Sequence, residues 1–160
     1  MNGLSIRRAT HSDAATIVSL LRDLAVFEKL DGVFRLTESD VHRDMLGADP
    51  AARCDLAVTG EGVVGLAVWY WLYGSFRAWR GLYVEDLYVR PDYRGRGAGR
   101  ALLAHMARTA SDAGAGWMEW RVLDWNARAI KFYRGLGARP LEDWVSYRLE
   151  PDALKNLAGI

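Results

Sequence analysis

Cysteine is almost absent from this chain, with Cys54 alone among 160 residues. A single thiol excludes an internal disulfide and a thiolate metal cluster. Histidine is scarce as well, and His11, His42 and His105 lack the spacing of metal ligands, so no metal site is expected. Proline occurs four times, and no repeat, low-complexity stretch or linker interrupts the chain. No apolar run approaches the roughly 20 residues of a membrane span, and Met1 to Arg8 lack a signal-peptide core. These absences predict a cytoplasmic protein without a membrane partner. Net charge is nearly missing too: 21 basic against 20 acidic residues leave +1, which gives no global field for holding nucleic acid.

What is present is ordinary for a folded domain. A hydrophobic fraction of 51% and a charged fraction of 26% exclude disorder. The length fits one core, so residues 1–160 are expected to form a single domain. Leu4 to Ala9 reads as a strand. Ser12-Asp13 offers an N-cap, and Ile17, Leu20, Leu21, Leu24 and Phe27 at helical spacing predict a helix over about 13–28. Thr37 and Asp40 form a capping box for a second helix that closes near Gly47. Arg53 to Thr59, the turn Gly60-Glu61-Gly62 and Val63 to Tyr73 predict a hairpin, and Gly81 to Val89 a further strand ended by Pro91. Leu102, Leu103, Met106 and Ala110 mark an amphipathic helix from Ala98 to Gly114. Trp117 to Leu123 reads as a strand, Asn126 caps a helix through Tyr133, and Trp144 to Leu149 reads as a closing strand, with one more short strand near Arg139. The order β-α-α-β-β-β-α-β-α-β predicts an α/β fold with a mixed sheet flanked by helices.

Glycine, at 16 residues, exceeds the average share of about 7%, and several crowd into Tyr93-Arg94-Gly95-Arg96-Gly97-Ala98-Gly99-Arg100 between a strand and a helix. Unpaired amides at a helix N-terminus attract an anion, glycines let the backbone approach it, and arginines add donors. The segment lacks the Gly-Lys-Ser/Thr ending of a P-loop, and Arg100 stands where a dinucleotide fingerprint needs glycine or alanine.

Arg94-x-x-Gly97-x-Gly99 resembles the pyrophosphate signature of the GNAT superfamily of acetyl-CoA-dependent N-acetyltransferases. Phe27-Glu28-Lys29-Leu30, Leu82 to Val89, Leu123-Asp124-Trp125-Asn126, Ala129 to Tyr133 and Trp144 together resemble the diamine acetyltransferases, which include spermidine/spermine and thialysine acetyltransferases. The resemblance implies the GNAT fold, with a central, mostly antiparallel mixed sheet. It implies direct acetyl transfer from acetyl-CoA, as cosubstrate, to a small amine, and a homodimer.

Residue by residue, the resemblance makes Tyr133 the general acid at the CoA sulfur and Glu85 the acid that orients the amine or receives its proton through water. It places the cofactor against the backbone of Leu87, Tyr88 and Val89, against Arg94, Gly95, Arg96, Gly97, Ala98, Gly99 and Arg100, and against Asn126, which also reads as an N-cap. In relatives the neighbouring strands splay beside Leu87 and Val89, and Gly114 and Gly116 permit such a break. Glu28 matches another substrate-contacting position, while Asp86, as the neighbour of Glu85, and Glu119, from its own strand, are further expected substrate contacts. If the strand is regular, Glu85 and Asp86 point to opposite faces. Arg77 and Arg80 stand where relatives often carry an acid or a neutral residue, which shifts the expected substrate from long polycations toward thialysine-like compounds or a short diamine. Val68-Trp69-Tyr70-Trp71 is an expected subunit surface. Acetylation of an aminoglycoside or a protein N-terminus, and a non-catalytic acyl-CoA-binding module, are the alternatives.

Overall fold

The computed structural model of the chain describes residues 3–160, and within the chain two compact units separate, Met1–Arg121 and Val122–Ile160. In the first unit, strand β1 (Ser5–Arg8) turns into helix α1 (Ala14–Glu28). Thr10 and Asp13, rather than Ser12, cap that turn: the Asp13 carboxylate accepts the Thr10 amide and hydroxyl at 2.8 Å each. Two Arg7 nitrogens donate to the same carboxylate at 2.8 Å. The Arg7 pairing first, and the Thr10 bonds with it, hold the Asp13 carboxyl well below the usual range. Helix α2 (Glu38–Asp44) opens on the expected box, with the Asp40 amide donating to Thr37 Oγ1 at 3.2 Å and the Thr37 amide to Asp40 Oδ2 at 3.0 Å.

Strands β2 (Arg53–Thr59), β3 (Gly62–Gly74) and β4 (Trp79–Val89) follow, then helix α3 (Ala98–Asp112) and strand β5 (Trp117–Trp120). The sheet runs β1-β2-β3-β4-β5. Its first three pairings are antiparallel, while β4 and β5 are parallel, joined by α3 as the crossover. Gly81 is required at that junction, because a Cβ there would collide with the Trp117 ring.

Strand alternation sorts the sheet into two faces. On one, Ile17, Leu20, Leu21 and Leu24 of α1 and Val41 of α2 pack with Cys54, Leu56, Leu66, Val68 and Tyr88. Each such leucine or isoleucine, fully buried, contributes roughly 1.5–3 kcal/mol. An exposed pair such as Arg43–Asp40 at 2.8 Å is screened by solvent and adds little, so apolar burial holds the helices to the sheet. Burial also pushes the Cys54 thiol up, which leaves it an inert core residue. The opposite face takes Leu102, Leu103, Met106 and Ala110 of α3.

In the second unit, the Asn126 side chain accepts from the Ala129 amide at 3.2 Å and caps helix α4 (Ala127–Arg134). Trp144 to Leu149 is not a strand, nor is there one near Arg139; the sheet of the described residues has five strands. β-propensity favours the segment, but a strand needs a ladder, and here Trp144 is 77% and Tyr147 93% exposed. An unanticipated helix α5 (Pro151–Ala158) follows, with proline in its first turn and left-handed Gly159 at its end. Of the expected subunit surface Val68-Trp69-Tyr70-Trp71, Val68 and Trp69 are core residues, each 2% exposed, while Tyr70 and Trp71 are half-buried.

Candidate active site

The β3–β4 ladder contains one irregularity, and it falls on the acids. Val68 pairs with Asp86 and Trp69 with Val84, so Glu85 is an extra residue. Tyr70 pairs with Tyr83, and two positions on Glu85 shares that face. Asp86 lies opposite Val68, on the same face as Tyr70. The bulge therefore sets Glu85 and Asp86 side by side on the α1 face, instead of the opposite faces a regular strand gives. Tyr70 confirms the placement, its hydroxyl donating to Glu85 Oε2 at 3.3 Å and its ring stacking on Tyr83 at 5.0 Å.

Glu119 pairs with Tyr83 in the parallel ladder and joins this face, and Glu28 ends α1 close enough to act on Asp86. Burial, then the Glu85 and Glu28 charges, pushes the Asp86 carboxyl up to about 7. Burial also raises Glu28. Tyr70 is pushed up to about 12 by burial and then by the Glu85 charge, so it stays a neutral donor. The charge of Arg121 acts on both Tyr70 and Tyr83 in the opposite sense. Tyr70, Tyr83 and Arg121 join the acids, which alone were expected here from the sequence. For Tyr70 and Tyr83 the signal was the strand pairing, which a single chain pattern does not carry. Arg77 and Arg80, by contrast, sit at the far end of the β3–β4 hairpin. At 3.3 Å per residue Arg80 is about 16 Å along β4 from Glu85, too far to set the charge around it.

Beyond the acids, β4 has an open edge. Its pairing with β5 stops at Val84↔Trp120, leaving Leu87 and Val89 without a ladder neighbour on that side among the described residues. The break lies at the opposite end of β5 from Gly114 and Gly116, where it was sought; Gly116 instead packs under the Trp79 ring. Tyr88 points into the α1 core at 5% exposure, so only its backbone is available on the strand.

The strand then enters the glycine loop. Gly95 and Gly97 have φ of +76° and +94°, values that L side chains rarely adopt, and the space beside each is open. Gly97 precedes α3 and supplies no side-chain cap, so the first amides of α3, over Ala98, Gly99 and Arg100, have no side-chain cap partner. This open, glycine-flanked helix start fits a pyrophosphate. Arg96 and Arg100 are exposed beside it. Arg94 is engaged differently from the expected anion donor: its Nε donates to the Val89 carbonyl at 2.8 Å, and its guanidinium lies 4.7 Å from the Phe27 ring and 5.4 Å from Tyr88. It pins the loop to β4 and α1.

In the second unit, Asn126 and Tyr133 lie on α4, the first as its cap and the second on its last turn, with the Tyr133 ring tilted against Phe132 at 5.4 Å. Among the described residues no group of three or more His, Cys, Asp or Glu is placed to hold a metal ion, and no helix is long and apolar enough to cross a membrane.

Residues 17–138 match the Acetyltransferase (GNAT) family. The chain is 35% identical over 170 residues to the thialysine N-epsilon-acetyltransferase of Sus scrofa, covering 99% of each. It is 30% identical over 195 residues to the L-ornithine N5-acetyltransferase of Arabidopsis thaliana, covering 94% of this chain and 86% of that one. In fold it is similar to an integron cassette protein from the mobile metagenome of V. cholerae, with a TM-score of 0.82, 23% identity and 99% of each chain covered. With the strand, glycine loop and helix in this order and full-length relatives of this kind, the chain belongs to the GNAT acetyltransferase family and is an N-acetyltransferase.

Proposed function

We propose that the enzyme transfers the acetyl group of acetyl-CoA directly to a terminal primary amine of a small diamine, polyamine or thialysine-like amino acid. One observation carries this reading: the β4 bulge that gathers Glu85 and Asp86 on one face, just before an open strand edge that leads to the glycine loop. Two adjacent carboxylates with Glu28 and Glu119 nearby suit an ammonium group and can take its proton. Asp86, with a proton affinity near neutrality, is the better acceptor; Glu85, bonded to Tyr70, orients the amine.

Arg121 beside this acidic set suits the α-carboxylate of an amino acid that carries a distal amine. The thialysine and ornithine acetyltransferases among the relatives support the same class. Acetyl-CoA supplies the acyl carbon and a thiolate leaving group. The backbone of Leu87, Tyr88 and Val89 holds its arm, and the loop from Gly95 to Arg100 its pyrophosphate. Asn126 and Tyr133 serve the arm and the departing sulfur, within one domain that takes in both units, a reading supported by the family match across residues 17–138. A cytoplasmic homodimer is part of the proposal.

The test is release of CoA thiol across a panel of amines, with mass spectrometry locating the acetyl group. Thialysine, lysine, ornithine and short diamines should lead the panel. Preference for an aminoglycoside or a peptide N-terminus would replace this reading, and absence of turnover with retained CoA binding would leave a binding module. On the best amine, Glu85→Gln should raise KM for the amine and leave CoA affinity intact. Equal efficiency would remove Glu85 from the site.

Gly97→Val should weaken CoA binding by about 10-fold or more, since the side chain enters the space of the anion and disfavours φ +94°. No neighbour lies within 4 Å of the added Cβ, so the cost to folding is confined to backbone strain. Calorimetric titration with CoA, paired with a thermal melt, separates the two effects; an unchanged dissociation constant would place the pyrophosphate elsewhere.

A further inference from the structure

Asp55 lies on β2 and faces α3, on the side of the sheet away from the acids, and is 1% exposed. Its Oδ2 accepts the Trp69 indole N–H at 2.6 Å. Arg8 Nε stands 3.2 Å and His105 Nε2 3.5 Å from its Oδ1, at ion-pair distance but without hydrogen-bond geometry. The Trp69 ring is held as well, with the guanidinium groups of Arg8 and Arg53 at 5.0 and 5.5 Å and the edge of Trp71 at 5.2 Å. Burying a carboxylate in a sheet is costly, and an aliphatic residue at this position would serve packing alone better.

The use of this carboxylate is legible in what it holds. Trp69 is the residue at which the β3–β4 register shifts, the one facing Val84 across the bulge. Were the ladder regular beyond the Val68↔Asp86 pair, Trp69 would face Glu85 instead. Glu85 would then turn toward the α3 face, and Asp86 would keep the amine side alone. That slip moves β3 and β4 past each other by about one residue, roughly 3.3 Å. Trp69 is tied by its N–H to β2, whose own pairing with β3 places Asp55 opposite Ala67. We infer that the Trp69–Asp55 hydrogen bond holds the bulge that sets Glu85 and Asp86 side by side, which makes Asp55 and Trp69 positioning residues for the amine. The inference rests on the amine site proposed above.

Trp69→Phe tests it, because it keeps an aromatic ring near the Arg8 and Arg53 guanidinium groups and deletes the donor. Misplacing a reacting group by an ångström can cost up to about 100-fold, and a partial slip should raise KM for the amine about 10-fold. KM for acetyl-CoA should stay in place. The acid limb of kcat/KM should move to lower pH, because Asp86 loses the neighbouring Glu85 charge. Loss of folded protein alone moves neither quantity. Asp55→Ala should do the same, and Asp55→Asn, which keeps an acceptor for the indole, should restore the amine KM.

Circular dichroism establishes folding first. A folded Trp69→Phe, or a folded Asp55→Ala if the former does not fold, with unmoved amine KM and acid limb overturns the inference. Asp86→Asn measured alongside distinguishes the two readings. If it abolishes use of the amine while Trp69→Phe changes nothing, the site stands and the positioning role falls. If it leaves amine use intact, the site fails and the inference with it. Should neither bond-breaking variant fold, the indole N–H resonance of Trp69 in the unaltered enzyme decides. That proton should exchange with solvent no faster than the ladder amides of β3 and β4 beside the bulge, and faster exchange than theirs overturns the inference.

Discussion

Asp86→Asn should lower kcat/KM for the amine about 100-fold while CoA binds as before. The substitution keeps volume and shape but removes both the negative charge and the proton acceptor. In the unaltered enzyme, kcat/KM for the amine should climb with pH through about 7, where Asp86 ionises. The variant should lack that limb. A substrate-binding acid remote from the proton would produce a different signature, raising KM without removing the pH dependence.

Stability should respond with the opposite sense. Burial and the neighbouring Glu85 and Glu28 charges raise the native Asp86 pKa to about 7, above the value near 3.9 of an unfolded chain. Between those values the native state holds the extra proton. Its contribution to stability is therefore fully present below about pH 4 and is lost as pH rises through about 7. The amide of the variant bears no such charge, so Asp86→Asn should melt higher than the unaltered enzyme at pH 8, with the gap closing as pH falls toward about 4. A variant that gains stability at pH 8 and loses amine use marks a group kept for chemistry at the expense of folding. Equal melting temperatures at pH 8 together with undiminished amine turnover would take the acid pair out of the mechanism.

How much of this was readable in the sequence depends on whether the signal is local. The Thr37 and Asp40 box, the Asn126 cap and the glycine stop at Gly114 are each decided by side chains within a few residues, and all appear where expected. The bulge is different. Val84-Glu85-Asp86-Leu87 carries no glycine or proline to announce an extra residue, because the register is decided across strands, by Val68 and Trp69 against Asp86 and Val84. The sequence therefore places Glu85 and Asp86 on opposite faces of a regular strand, where the bulge puts them on one. Arg94 illustrates a second limit: its place in the motif was evident, while its stacking over Phe27 and Tyr88 depends on how α1 and β4 meet. At the C-terminal end, the aromatic run from Trp144 outweighed signals that were in fact present, proline at the first turn of α5 and glycine after its last.

Tyr133→Phe should lower kcat about 100-fold with little change in either Michaelis constant. The reasoning starts from the leaving group. As the amine nitrogen bonds to the acyl carbon and the carbon–sulfur bond breaks, negative charge collects on sulfur, and a phenol with a reference pKa of about 10 carries its proton at neutral pH. A donor that acts on charge present only in the transition state changes kcat and leaves ground-state binding alone. General acids contribute about 10²–10⁴-fold, and a thiolate of pKa near 8.5 leaves easily enough to favour the lower end. Phenylalanine keeps the ring that lies against Phe132 on α4, so the contrast is confined to one oxygen. A tyrosine whose hydroxyl serves folding alone predicts the reverse pattern. Its loss costs roughly 1 kcal/mol of hydrogen bonding, seen as a lower melting temperature with normal turnover per folded enzyme. Measuring kcat and thermal stability on one preparation separates the two, and a stable variant with undiminished kcat would show that the proton for sulfur comes from another group.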